Sequence, residues 1–181
     1  LSKDEYYLLG GAANVAANLE ALGADYNIIS VVGYDKYTDI IKSALCNLRN
    51  NTLHSSYLKN TVKTRLISTQ QLFRIDEDNQ HQFCSTEESD TYWEEIETRL
   101  DSGEYAYLII CDYNKGLLNY PFIQMICKRC NDLKIKVLVD TKRKEVDCFA
   151  GSGLATPIFV EYRISTGFTL SNFKKILITQ G

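Results

Sequence analysis

Proline, methionine, tryptophan and histidine are scarce: the 181 residues hold 2, 1, 1 and 2 of them. With so little proline and 45% apolar residues, the chain is not collagen-like, low-complexity or disordered. No apolar run approaches the ~18 residues that a membrane-spanning helix needs. The opening residues, Leu1 to Tyr7, lack the basic and apolar regions of a signal peptide, and no Met begins them. Positive charge is not in excess, since 20 basic residues face 23 acidic ones for a net charge of −3. That balance argues against a broad nucleic-acid surface, which needs a basic face. His54 and His81 lie in polar segments without a Ser or Cys motif beside them and give little ground for a catalytic role.

The length fits one domain, or one domain with a small appendage. The 6 cysteines, at 46, 84, 111, 127, 130 and 148, could frame disulfides in a short secreted chain. This chain is larger and can bury a core, so free thiols in a reducing cytoplasm are expected. Cys127-Lys-Arg-Cys130 invites a metal or redox reading, but a second ligand pair is missing. Both cysteines also fall on the apolar face of an expected helix, where burial explains them.

Apolar spacing predicts a helix over 12–22, with Val15, Ala16, Leu19 and Leu22 in one stripe and Gly23 as its C-terminal cap. A β-branched strand follows over 27–32 and breaks at Gly33-Tyr34-Asp35. Helical spacing returns over 38–49. The middle is β-rich over 61–69 and 71–76, and its Val62–Leu66 segment alternates polar with apolar, so that one face is solvated or covers a ligand. A helix over 90–100 places Trp93, Ile96 and Leu100 on one side. Buried-type strands over 105–111 and 135–139 flank a helix capped by Asn119, whose inner face carries Phe122, Ile123, Ile126, Cys130 and Leu133. Short strands at 154–156 and 176–179 complete an α/β alternation. Most apolar strands run into polar or Gly residues: Gly33 and Asp35, Asp112, Asp140, Thr156, Thr179. In an open parallel sheet such positions line the crevice at the carboxyl ends, where ligands bind.

The most informative stretch is Leu9-Gly10-Gly11-Ala12-Ala13-Asn14-Val15-Ala16. Two glycines before a helix let bare backbone approach a ligand, and the first helical N–H groups remain free to donate. The Asn14 amide suits hydroxyl groups. Neither a dinucleotide G-x-G-x-x-G nor a Walker G-K-[ST] is present. The residues alone say "polar ligand at a helix N-terminus", with packing of helix on sheet as an equal competitor.

Gly10-Gly11-Ala12-Ala13-Asn14-Val15-Ala16, then Gly23 and Gly33, resembles the first signature of the ribokinase (PfkB) carbohydrate kinases. Thr61-Val62-Lys63-Thr64-Arg65 and Gln70 to Asp76 resemble the sugar-side lid of the heptose 7-phosphate kinases. Asp112-Tyr113-Asn114-Lys115-Gly116 is similar to their Asp-Tyr-x-Lys-Gly, and Val139-Asp140-Thr141-Lys142 to their Asp-Pro-Lys. Thr156-Pro157, with Glu161, and Ile178 to Gly181 fall where the family has Thr-Pro-Asn-x-x-Glu and a Thr-x-Gly nucleotide loop.

The resemblance implies a three-layer α/β/α sandwich with a small β lid over about 1–9 and 57–84, incomplete at both ends. It implies ATP-dependent phosphorylation of a sugar phosphate at its anomeric hydroxyl in a cytoplasmic enzyme, with Mg2+ and a homodimer through the lid. Gly10, Gly11, Asn14, Lys63, Arg65, Arg74, Asp112 and Lys115 would face the sugar phosphate. Asp140, Lys142, Glu161, Thr179 and Gly181 would face nucleotide, with Glu161 also acting indirectly on the metal. The family's Gly-Ala-Gly-Asp segment, which supplies the general base and an anion hole, is absent from these residues, as is the family's first strand. Those contributions are each worth at least ~10²-fold, so the 181 residues alone are expected to be inactive. The alternative is a non-catalytic sugar-phosphate-binding homologue of the same fold.

Overall fold

The computed structural model describes residues 4–46, 51–55, 57, 59–79, 86–157, 163 and 173–177. The chain divides into two compact units, residues 1–81 and 82–181. Among the described residues, no helix is long and apolar enough to cross a membrane.

In the first unit, helix α1 (Gly11–Ala21) leads to strand β1 (Ile28–Val32), helix α2 (Thr38–Cys46) and strand β2 (Asn51–Ser55). β1 and β2 pair in parallel, with Ile28 opposite Asn51 and Val32 opposite Ser55. Ala16 of α1 packs against Tyr26 and Ile28, with Ala12, Ala13 and Leu19 around them. α1 ends in a paired C-terminal turn: the Gly23 N–H donates to Glu20 O and the Ala24 N–H to Leu19 O, both at 3.0 Å. The turn requires the left-handed φ of +72° that Gly23 adopts without penalty. Strands β3 (Val62–Ile67) and β4 (Gln71–Glu77) form a separate antiparallel ribbon, with a register shift between Leu66 and Ile67. Residues 4–10 carry no strand.

The second unit begins with helix α3 (Thr86–Asp101) and continues through β5 (Tyr107–Asp112), α4 (Tyr120–Asp132), β6 (Lys136–Thr141), a 3-10 turn at Asp147–Phe149, β7 (Ser152–Ala155) and β8 (Phe173–Ile176). The four strands form one parallel sheet in chain order. Its buried-type residues explain the parallel pairing, since such strands are covered on both faces. Phe149, Phe173, Ile123, Val137, Val139 and Val146 are all but fully buried. α4 starts as its sequence dictates: the Asn119 Oδ1 accepts the Phe122 N–H at 2.9 Å and Pro121 sits in the first turn. It ends in the same paired turn as α1, with Lys134 in the left-handed position at φ 61°.

Some expectations are corrected. Tyr92, not Trp93, joins Ile96 and Leu100 in the core, because residues four apart align better along α3 than the 93–96–100 stripe. Trp93 instead meets Phe122 edge-on at 6.1 Å, while Tyr92 stacks on it at 5.9 Å. Leu22 and Leu133, placed by periodicity on inner faces, are exposed: each is the C-cap, where the chain turns off the helix. α3 begins at Thr86, four residues before the expected start. β2 was not anticipated, for Asn-Thr-Leu-His-Ser carries no apolar pattern.

Candidate functional site

The first unit carries two of the anticipated groups. Gly10 is the extended N-cap of α1 and gives no side-chain cap, so it leaves the first helical N–H groups to other acceptors. Gly11 follows with φ 55°, a conformation that a β-carbon would penalise. Asn14, one turn into the helix, is exposed. A helix start of bare backbone followed by an exposed amide suits a polyhydroxy ligand.

The ribbon is the second group. In register, Lys63 stands opposite Asp76, and Arg65 opposite Arg74. Directly opposed residues share a face, and so do residues two apart, so Lys63, Arg65, Arg74 and Asp76 occupy one face together. Arg65 beside Arg74 is a like-charge pair, which Asp76 offsets. The Arg74 Nε and Nη2 donate to the two Asp76 oxygens at 2.7 and 2.6 Å, and the Lys63 Nζ lies 4.0 Å from Asp76 Oδ2. The Arg74 fork holds the Asp76 carboxyl below its ordinary range. The other face carries Leu66, Phe73 and Ile75, all exposed.

The ribbon is tethered to the β1–α2 turn through Asn60. Its amide oxygen accepts the Gly33 N–H at 2.8 Å, and its backbone N–H and side-chain amide donate to the two Asp35 oxygens at 2.7 and 2.8 Å. Asp35 also accepts the Tyr37 N–H at 2.9 Å. Burial pushes the Asp35 carboxyl up, but the hydrogen bonds from Asn60 and Tyr37 outweigh it and leave the group below the usual carboxylate range. On the far side, the Asn79 side chain donates to the Asn60 carbonyl at 2.9 Å.

In the second unit, Asp112 and Thr141 pair at the carboxyl ends of β5 and β6, and Cys111 and Asp140 pair one step earlier on the opposite face. Burial, with the Asp140 charge nearby, pushes the Cys111 thiol up to about 11. Asp112 is only 3% exposed, and both its oxygens are engaged. Oδ1 accepts the Asn114 N–H at 2.9 Å; Oδ2 accepts the Thr141 hydroxyl at 3.2 Å and the Arg143 Nε. Asp112 therefore supports the turn that carries Lys115 rather than presenting a free carboxylate. Lys142 is exposed, and its backbone N–H donates to Asp112 O at 2.9 Å. Glu161, Thr179 and Gly181 lie outside the described residues.

The Cys127–Cys130 pair is buried in α4, and the Cys127 Sγ lies 3.5 Å from Ser152 Oγ. Cys111, Cys127, Cys130 and Cys148 are free thiols. Among the described residues, no three His, Cys, Asp or Glu side chains gather as a metal site. Sequence reasoning missed Asn60, the Asp76 counter-charge and Arg143. Arg143 directly follows the singled-out Lys142, but nothing in its spacing points back to residue 112.

Parallel strands with covering helices, polar carboxyl-end loops and a separate two-stranded ribbon define an α/β protein with a ribokinase-like fold. Phosphofructokinase-2 from Escherichia coli superposes with a TM-score of 0.72 at 13% identity, over 95% of this chain and 62% of that one. A phosphofructokinase described as putative, from Staphylococcus aureus, gives 0.68 at 11% identity, over 99% and 62%. The family model "pfkB family carbohydrate kinase" matches residues 2–161, and the chain belongs to that family. The chain is 33% identical over 185 residues to the bifunctional protein HldE of Aliarcobacter butzleri, covering 97% of this chain and 37% of the relative. It is 33% identical over 150 residues to HldE of Campylobacter jejuni strain RM1221, covering 82% and 31%. The chain thus spans about a third of the length of these relatives.

Proposed function

We propose that the protein is an ATP-dependent sugar kinase that phosphorylates the anomeric hydroxyl of heptose 7-phosphate, an early step toward an ADP-heptose for lipopolysaccharide. The observation that carries this reading is the gathering of Lys63, Arg65 and Arg74 on one ribbon face within a pfkB chain. Planar guanidinium forks with a neighbouring ammonium suit a dianionic phosphate. A phosphate reaching that face would compete with Asp76 for the same donors, so Asp76 sets how tightly the anion is held.

Gly10, Gly11 and Asn14 hold the sugar hydroxyls in this reading, and Lys115 contacts substrate phosphate. Asp112 acts by shaping the loop of Lys115. Asp140 and Lys142, at the sheet's carboxyl ends, serve the nucleotide, with Lys142 as a point charge for the transferring phosphoryl group. Thr179, Gly181 and Glu161 complete the nucleotide side. In such sites Mg2+ is held by one or two carboxylates plus phosphate oxygens, so a ready-made protein cage is not required. The uncovered Leu66, Phe73 and Ile75 face suits a second copy of the ribbon, giving a homodimer. The buried free thiols suit a reducing cytoplasm.

The test is 31P NMR of the gene product that carries these residues, mixed with ATP and heptose 7-phosphate. A new phosphorus signal coupled to the anomeric proton, with ADP in equal amount, is expected. Heptose 7-phosphate binding without ADP release would instead identify a non-catalytic homologue of the family.

A further inference from the structure

Residues 113–118 join β5 to the cap of α4, and they hold two residues in left-handed conformations, Asn114 at φ 53° and Gly116 at φ 92°. A non-glycine residue meets a steric penalty in that conformation, which asparagine tolerates better than most, and local contacts hold it there. Here the Asp112 Oδ1 accepts the Asn114 N–H at 2.9 Å, and Arg143 braces both ends of the loop. The Arg143 Nε donates to Asp112 Oδ2 at the loop's start, and its Nη2 donates to the Leu118 carbonyl at the loop's end.

The base of Arg143 is fixed as well. Its backbone N–H donates to the Thr141 hydroxyl oxygen at 3.1 Å, and that hydroxyl donates onward to Asp112 Oδ2. The Arg143 side chain is 16% exposed and that of Asp112 3%, so the pair is sheltered from salt screening.

We propose that Arg143 is a positioning residue: its guanidinium joins the two ends of the 113–118 loop and thereby places Lys115 for the substrate phosphate. The loop latch itself rests on the observed geometry. Only its effect on substrate rests on the sugar-phosphate reading above. A planar fork reaches two acceptors in fixed directions, whereas a lysine ammonium satisfies the Asp112 charge without spanning both ends. Arg143→Lys therefore separates charge pairing from latching.

The experiment is hydrogen exchange by mass spectrometry on the wild-type protein, Arg143→Lys and the charge-free pair Asp112→Asn/Arg143→Met, with calorimetric titration of heptose 7-phosphate. The double variant leaves no buried lone charge and carries the test if Arg143→Lys fails to fold. Amides of 113–118 should exchange at least about tenfold faster in the variants while β5 and β6 keep their protection. Heptose 7-phosphate should bind about tenfold more weakly. Loop exchange within about twofold of wild type would overturn the latch. A loosened loop with unchanged sugar-phosphate affinity would overturn the placing of Lys115. A loosened loop in a protein whose wild type binds no heptose 7-phosphate would support the latch and sink the sugar-phosphate reading alone.

Discussion

Asn60 meets Asp35 twice, donating its backbone N–H to one carboxylate oxygen and its side-chain amide to the other. This one pair links the turn after β1 to the residues that open the ribbon. Asn60 is 6% exposed, so its groups have little access to replacement water.

Asn60→Ala leaves the Gly33 N–H without its acceptor and removes the side-chain donor to Asp35. Such a loss costs about 1–3 kcal/mol. Chemical denaturation should show that drop. The hydrogen bonds also hold the Asp35 carboxyl low, so their stabilisation is present above the unfolded pKa and is lost as pH falls through the folded one. Asn60→Ala should therefore be less acid-sensitive, relative to its own neutral-pH stability, than wild type.

Buried thiols, Cys130 and Cys148 foremost, should weaken the fold at high pH. Burial pushes Cys130 and Cys148 up to about 12 from the ordinary 9.0. A raised folded pKa means that the unfolded state loses its proton first. The contribution of each thiol is thus intact below pH 9 and is lost as pH rises from there toward about 12, by up to ~1.4 kcal/mol per pH unit. Denaturation midpoints at pH 8 and 10.5 should show the loss, and Cys130→Ala should flatten it while lowering stability at both.

Lys134 occupies a left-handed C-terminal position that glycine fills at lower cost, as Gly23 does at the end of α1. Lys134→Gly should stabilise the protein by about 0.5–1 kcal/mol, the relief of strain exceeding the entropy that glycine adds to the unfolded chain. Thermal unfolding should shift upward by a few degrees.

Much of this architecture was legible in the sequence because the relevant signals are local. Asn119 with Pro121 marks a helix start, Gly23 marks a helix end, and the apolar runs before Asp112 and Asp140 mark parallel strands. The alternation from Val62 to Leu66 foretold an amphipathic ribbon, and antiparallel pairing brought Arg74 to the face of Lys63 and Arg65. What escaped is non-local. Asn60 gains its role from a turn 25 residues earlier, and Arg143 from an aspartate 31 residues earlier. Neither separation has a period that a one-dimensional pattern can show. Asp112 shows the same limit: its place after a strand pointed to the sheet's carboxyl end, but its bonds to Asn114, Thr141 and Arg143 have no one-dimensional signature.

The central claim is that the ribbon's basic face receives the phosphate of a sugar phosphate. Calorimetric titration of heptose 7-phosphate into wild type and Lys63→Ala/Arg65→Ala tests it most directly. Both residues are exposed, so the variant should fold normally. Binding should weaken by about 10–100-fold in the variant, and the wild-type affinity should fall with added salt. Equal affinity of the two proteins would contradict the claim.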